Sequence, residues 1–409
     1  MNTANRNVWI LSFTLLVVML GYGMVLPVMP FYITMLGAGG SELGWLMATY
    51  SLMQLICAPL WGILSDRVGR KPVLAVGVFG YALALTLFGL ATRFWMLFLA
   101  RTLSGILSSA TMPTAMAYIG DNTPEKDRSA GMGRLGAAMG SGVILGPLLG
   151  GWLSQDSLSL PFFIGAGMAL ASFILVLILL PESHPAVKPA SAEQAASPKV
   201  AFIDRQAAWA ILRSPAGMLL VLIFILSFGM ANFQGMIGLY VIDKFSFSTD
   251  QVGVLWMVIG VVMVVAQGGL TGPLTRKLGE RTLIRIGLLG GAAGFGLILL
   301  SRGYVSMLLA VGWMILTLAL LGPALNAFIS AFAGGRQGLV MGLNSAALSL
   351  GRVVGPLWGG WLYDVNLAYP FASGALTLLV GFAFTFIGLR LSYTQEAPPT
   401  VIKGADRLA

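Results

Sequence analysis

One cysteine, one histidine and fifteen acidic residues are all that 409 positions offer to most kinds of chemistry. With Cys57 alone there is no disulfide framework, and with His184 alone there is no Cys/His metal cluster. Cys57 sits in an apolar run, where a free cysteine behaves as a small hydrophobe. Charge is scarce too: Asp, Glu, Lys and Arg make up 10% of the chain against 57% hydrophobic residues. At a mean hydropathy of +0.87 the apolar runs must face lipid rather than hide in a soluble core. The net charge of +9 is not gathered into a basic patch away from those runs, so no nucleic-acid partner is expected. No cofactor and no metal is expected either.

What the chain has is apolar runs long enough to span a bilayer, which takes about 20 residues. They fall at 8–36, 43–64, 72–92, 94–120, 131–153, 160–181, 215–242, 251–272, 283–301, 304–332, 338–363 and 370–391, which makes twelve. The first is too long for the apolar core of a secretory signal peptide. With the N-terminus placed inside, nineteen Lys and Arg fall in inward loops and tails, and only Arg93, Lys244 and Arg302 fall outside. The positive-inside rule then puts both termini in the cytoplasm. Residues 182–214, rich in Pro, Ala and Ser, read as a cytoplasmic linker between an N-terminal half, 1–181, and a C-terminal half, 215–409.

The two halves repeat. Gly133, Gly142, Gly146, Pro147, Gly150 and Gly151 recur as Gly342, Gly351, Gly355, Pro356, Gly359 and Gly360, each 209 residues on. Small residues at such spacing let helices approach closely, and Pro bends a helix by removing a backbone donor. Parallel repeats related by an axis along the membrane normal are a transporter architecture, with the binding site at their interface. Between spans 2 and 3 the chain reads GILSDRVGRK, Gly62 to Lys71, a tight turn carrying Asp66, Arg67 and Arg70. The corresponding stretch from Gly272 reads GPLTRKLGER, with Arg276 at the place of Asp66.

This loop resembles the signature of the major facilitator superfamily, and the Gly-Pro stretch of span 5 is similar to that of its drug:proton antiporters. AYIGD before the span 4–5 loop and LPESH after span 6 look like tetracycline and multidrug exporters. The resemblance covers essentially the whole chain. It implies an all-α membrane protein with twelve transmembrane helices in two six-helix pseudo-symmetric halves, the major facilitator fold. It also implies that Asp66 docks the halves together in the outward-open state, that Arg70 pairs with Asp121, and that Arg101 of span 4 takes part in proton transfer.

One departure stands out: no acidic residue lies inside a span, whereas many drug antiporters carry an embedded carboxylate for cations or protons. Arg101 and Arg352 are the embedded charges, and such groups are functional by default. Together they point to neutral or anionic lipophilic substrates. The cavity wall is expected from Tyr32, Gln54, Met116, Asn232, Phe233, Gln234, Asn326 and Arg352; Met and aromatic side chains suit a pocket that repacks around varied ligands. The reading is an inner-membrane exporter of lipophilic drug-like compounds in exchange for protons, acting as a monomer. The alternative is a facilitator or proton-coupled exporter of one metabolite such as a sugar, amino acid or siderophore. An enzyme is not expected, since no nucleophile, acid/base pair or metal set clusters within the spans.

Overall fold

The protein is described by a computed structural model over residues 3–183, 209, 211, 213, 215–331 and 337–391. The linker expected over 182–214 and the tail beyond 391 lie almost wholly outside the described residues. Twelve spans follow one another: Thr3–Met35, Gly40–Val68, Arg70–Gly89, a fourth in two pieces, Glu125–Leu153 and Leu160–Leu179, then Pro215–Phe245, Thr249–Leu278, Glu280–Leu300, Tyr304–Ala331, Gln337–Val365 and Tyr369–Leu391. Eleven are helices long and apolar enough to cross a membrane. No strand occurs among the described residues. The protein is a multi-pass, all-helical membrane protein.

Span 4, expected as one run, is two helices, Phe94–Ser108 and Thr111–Asn122. The cause is local. Ser108 and Ser109 donate their hydroxyls to the carbonyls of Ser104 and Ile106, at 2.5 and 2.7 Å. Such back-bonding bends a helix, and the break falls where Pro113 has no N–H to give the Ser109 carbonyl. Span 8 is interrupted by a π-turn, Ala266–Leu270, at the pair Gly268-Gly269. There Thr271 Oγ1 donates to the Ala266 carbonyl at 2.8 Å.

The spans alternate in direction. The near end of the bundle carries the N-terminus and the even-to-odd turns; the far end carries the odd-to-even turns. At the far end the halves are sealed by glycines. On Gly44 of span 2 a Cβ would strike the Pro356 carbonyl of span 11, and on Gly360 it would strike the Gly40 carbonyl. The other pair repeats this contact. On Gly253 of span 8 a Cβ would lie 2.7 Å from the Pro147 carbonyl of span 5, and on Gly151 it would strike the Thr249 carbonyl. Gly44 and Gly253 are themselves 209 residues apart, as are Gly151 and Gly360, so the seam obeys the two-fold relation of the sequence. At the near end the same four spans stand apart: at Gly62, Gly133, Gly136, Gly268, Gly269, Gly338 and Gly342 a Cβ would meet nothing within 4 Å. The molecule is closed at its far end and parted at its near end.

Candidate functional site

Between the halves lies a cavity of about 340 Å³, in the size range of small-molecule sites, walled by spans 1, 2, 4, 5, 7, 8 and 11. Its lining is as pseudo-symmetric as the seam. Span 2 contributes Met47, Tyr50, Ser51 and Gln54, a single helical stripe at i, i+3, i+4 and i+7. Span 8 contributes Trp256, Ile259, Gly260 and Met263, the same stripe 209 residues later. Val143 and Pro147 of span 5 are answered by Arg352 and Pro356 of span 11. What breaks the symmetry is polarity. The hydroxyls and amide of span 2 face Trp and Met of span 8, and Arg352 stands where span 5 has Val143. None of the residues lining the cavity is acidic.

Arg101 reaches the cavity from span 4 and is 2% exposed. Its guanidinium lies 4.9 Å from the centre of the Tyr50 ring, a cation–π contact. One terminal nitrogen points at Met47 Sδ, 3.0 Å away, a weak acceptor. Its Nε has no hydrogen-bond partner among the described residues. Trp256 is also buried in the wall, and its Nε1 likewise has none. A buried donor left unmade is costly, and a buried cation without a carboxylate more so. Arg352, across the cavity, is exposed to it.

Of the residues expected at the cavity, Gln54, Gln234 and Arg352 line it, together with Arg101. The others do not. Tyr32 is buried with its ring edge-on to Phe162 at 5.6 Å. Phe233 is buried against Phe295, 6.3 Å between centroids. Asn232 is fully buried; its amide donates to the Pro370 carbonyl at 2.7 Å, and its oxygen lies where a Cβ on Gly359 would fall, so it ties spans 7, 11 and 12 together. Met116 is exposed and is not part of the cavity lining, and Asn326 accepts the Asn344 amide at 3.1 Å towards the near end of span 10. The physical reason is helical pitch. Residues 232, 233 and 234 point about 100° apart, so one of the three can face the cavity, and it is Gln234. Trp256, Met263 and Met47 were missed by the sequence reading. The offset of 209 applied to Gln54 and to Met47 gives Met263 and Trp256 directly.

The glycine stretches divide their labour. Gly142, Gly146 and Gly150 pack on span 1, and Gly351, Gly355 and Gly359 pack on span 7, each within its own half. Gly151 and Gly360 meet backbone of the other half, Gly140 faces only the Val264 side chain there at 3.5 Å, and at Gly133 and Gly342 a Cβ would meet nothing within 4 Å.

At the near end Arg70 gathers a polar cluster. Its guanidinium pairs with Asp66 at 2.5 Å and with Asp121 at 3.0 Å, and donates to Ser65 Oγ at 2.7 Å. Glu182, from the LPESH stretch, accepts the backbone N–H of Arg70 at 2.9 Å and caps span 3. Gly69, at φ +105°, makes that turn, and any Cβ there would lie 2.7 Å from the Glu182 carboxylate. Gly279, at φ +75°, holds the corresponding turn of the second half. The Asp66 side chain remains 62% exposed. Arg67, beside it, is exposed.

At the far end an acid joins the halves. Asp364, closing span 11, accepts the N–H of Gly40 at 2.8 Å and of Ser41 at 3.0 Å, the first turn of span 2. Asp364 is not among the residues that the sequence marks for the site. No repeat points to it, because the residue 209 positions earlier is Gln155.

Two six-helix halves, a sealed end, a parted end and a cavity between them define a membrane transporter of the alternating-access class. The chain belongs to the Major Facilitator Superfamily, whose family model matches residues 11–330 and 270–407. It is 32% identical to multidrug resistance protein 2 of Bacillus subtilis (strain 168) over 380 residues, covering 92% of this chain and 94% of that protein. It is 29% identical to the quinolone resistance protein NorA of Staphylococcus aureus (strain N315), covering 94% and 96%. Among solved structures it superposes on a bacterial homologue of the human lysosomal transporter Spinster, crystallised inward-facing and unoccupied. The TM-score is 0.77 at 16% identity, over 98% of this chain and 99% of that one.

Proposed function

We propose that the protein is a secondary active efflux transporter that exports lipophilic, drug-like compounds in exchange for protons. It acts as a monomer in the plasma membrane, with its near end and both termini in the cytoplasm. The observation that carries this reading is the cavity, parted on the side that the excess of Lys and Arg assigns to the cytoplasm and sealed on the other. A site loaded from inside, in a chain related over nine-tenths of its length to proteins named for multidrug resistance, is the site of an exporter. In the opposite state Asp66, now largely exposed, docks on the other half, and Arg70 with Asp121 holds the turn that presents it. Binding then favours whichever state contacts the ligand better.

Purified protein in proteoliposomes under an imposed pH gradient tests the reading with neutral and charged lipophilic dyes. Accumulation that collapses with the gradient is the expected result. Equilibration indifferent to the gradient would mean a facilitator and would remove proton antiport. Asp66→Asn and Asp121→Asn are each expected to slow exchange by about tenfold, the effect of biasing a two-state equilibrium by one decade, with dye affinity unchanged. If affinity falls and exchange does not, these carboxylates serve the cavity rather than the conformational cycle.

A further inference from the structure

The cavity wall holds positive charge and two buried donors unpaired among the described residues, and no acid lines it. Arg101 enters from the N-terminal half, nearly fully buried, with Nε unpartnered among the described residues. Trp256 enters from the C-terminal half, with Nε1 unpartnered among the described residues. Arg352 presents a solvated guanidinium on the same cavity, and Tyr50 lies within electrostatic reach of both arginines. Around them the wall is apolar or aromatic, including Met47 and Met263.

We infer that this is a subsite for an acceptor-bearing anion: the carboxylate or sulfonate of an amphipathic aromatic compound docks between Arg101, Arg352 and Trp256, its ring against Tyr50 and the methionines. The inference rests on the export reading and narrows its substrate class. The chemistry is direct. Guanidinium groups form charge-assisted, often bidentate bonds to carboxylates, and an indole N–H is a donor that needs an acceptor. A buried cation facing a cavity with no acid is relieved by an anionic ligand and opposed by a cationic one. This accounts for the missing embedded carboxylate: an anion needs no acid to neutralise it, and an inside-negative membrane potential already drives it outward.

Three compounds that share the dansyl group test it on the full-length protein in detergent: dansylglycine, an anion; dansylamide, neutral; and dansylcadaverine, a cation. Dansylglycine is expected to bind at least about tenfold more tightly than dansylcadaverine, in line with the worth of one charge-assisted hydrogen bond. Arg352→Gln is expected to weaken dansylglycine by about tenfold and to leave dansylamide within about twofold. Arg352 is exposed, so this variant keeps the fold; Arg101→Lys, checked by its melting temperature, is the companion for the buried partner. Equal binding of anion and cation, or unchanged dansylglycine affinity in Arg352→Gln, overturns the subsite. Transport separates the two claims. Gradient-driven movement of dansylamide without dansylglycine binding leaves export standing and removes the anion site. Tight, Arg352-dependent dansylglycine binding with no movement of any compound keeps the site and removes export.

Discussion

Leucine in place of Gly253 is expected to abolish transport and leave the protein open at its far end. At Gly253 even a methyl-sized Cβ would lie 2.7 Å from the Pro147 carbonyl and 3.0 Å from the Gly151 Cα, both backbone atoms of the other half. Neither can rotate away as a side-chain tip would. Overpacking a tight contact costs about 1–3 kcal/mol, and here the cost falls only on the state in which the seam is shut. The penalty therefore shifts the conformational equilibrium by about tenfold to a hundredfold. Gly44→Leu is expected to do the same, because it meets the Pro356 carbonyl in the same way. The readout is a cysteine in the cavity, Ser51→Cys in a Cys57→Ser background, labelled by a membrane-impermeant maleimide from the far side. Labelling should rise by about tenfold in both variants. Gly133→Ala and Gly342→Ala, members of the same two stretches with open space where their Cβ would stand, should transport normally. If they fail as badly as Gly253→Leu, the stretches act through helix flexibility and not through contact.

Much of this was legible before any coordinates. Runs of about 20 apolar residues have one cheap solution in lipid, the helix, so the spans were fixed by composition, and the glycine stretches fixed the two-fold repeat. The repeat reaches beyond the glycines of spans 5 and 11. It relates Gly44 to Gly253 and the lining stripe of span 2 to that of span 8, so the other side of the seam is written in the same offset. Tyr32, Asn232 and Phe233 failed for another reason. A membrane helix in the middle of a bundle is apolar all round, so its periodicity does not say which face meets the cavity and which meets a neighbour. Polar type did not help either, since the Asn232 amide is consumed by the Pro370 carbonyl. Charge was the better guide. Arg101 and Arg352 cannot face lipid cheaply, and both stand on the cavity.

Removing the carboxylate of Asp364 is expected to open the far end as well, by a different route. Asp364 accepts two backbone N–H groups from the first turn of span 2, Gly40 at 2.8 Å and Ser41 at 3.0 Å. A hydrogen bond to a charged group contributes about 1.5–3 kcal/mol, and a charge on a helix N-terminus a few tenths more. These bonds join opposite halves, so they exist only while the far end is shut, and their whole value biases that state. Asp364→Ala should therefore raise far-side labelling of the cavity cysteine by about tenfold or more. Asp364→Asn, whose amide oxygen can still accept one bond, should fall between. Asp66 lies at the opposite end of the same pair of spans, unengaged with the other half among the described residues and 62% exposed. By its proposed docking it favours the other state, so Asp66→Asn should lower far-side labelling and the double variant Asp66→Asn/Asp364→Ala should return towards the parent. That return is the sharper test. Two substitutions with opposite signs on one equilibrium add as free energies when their sites are far apart, whereas two that merely damage packing add in the same direction. Labelling in the double variant that exceeds that of Asp364→Ala would sink the view that spans 2 and 11 carry a carboxylate latch at each end.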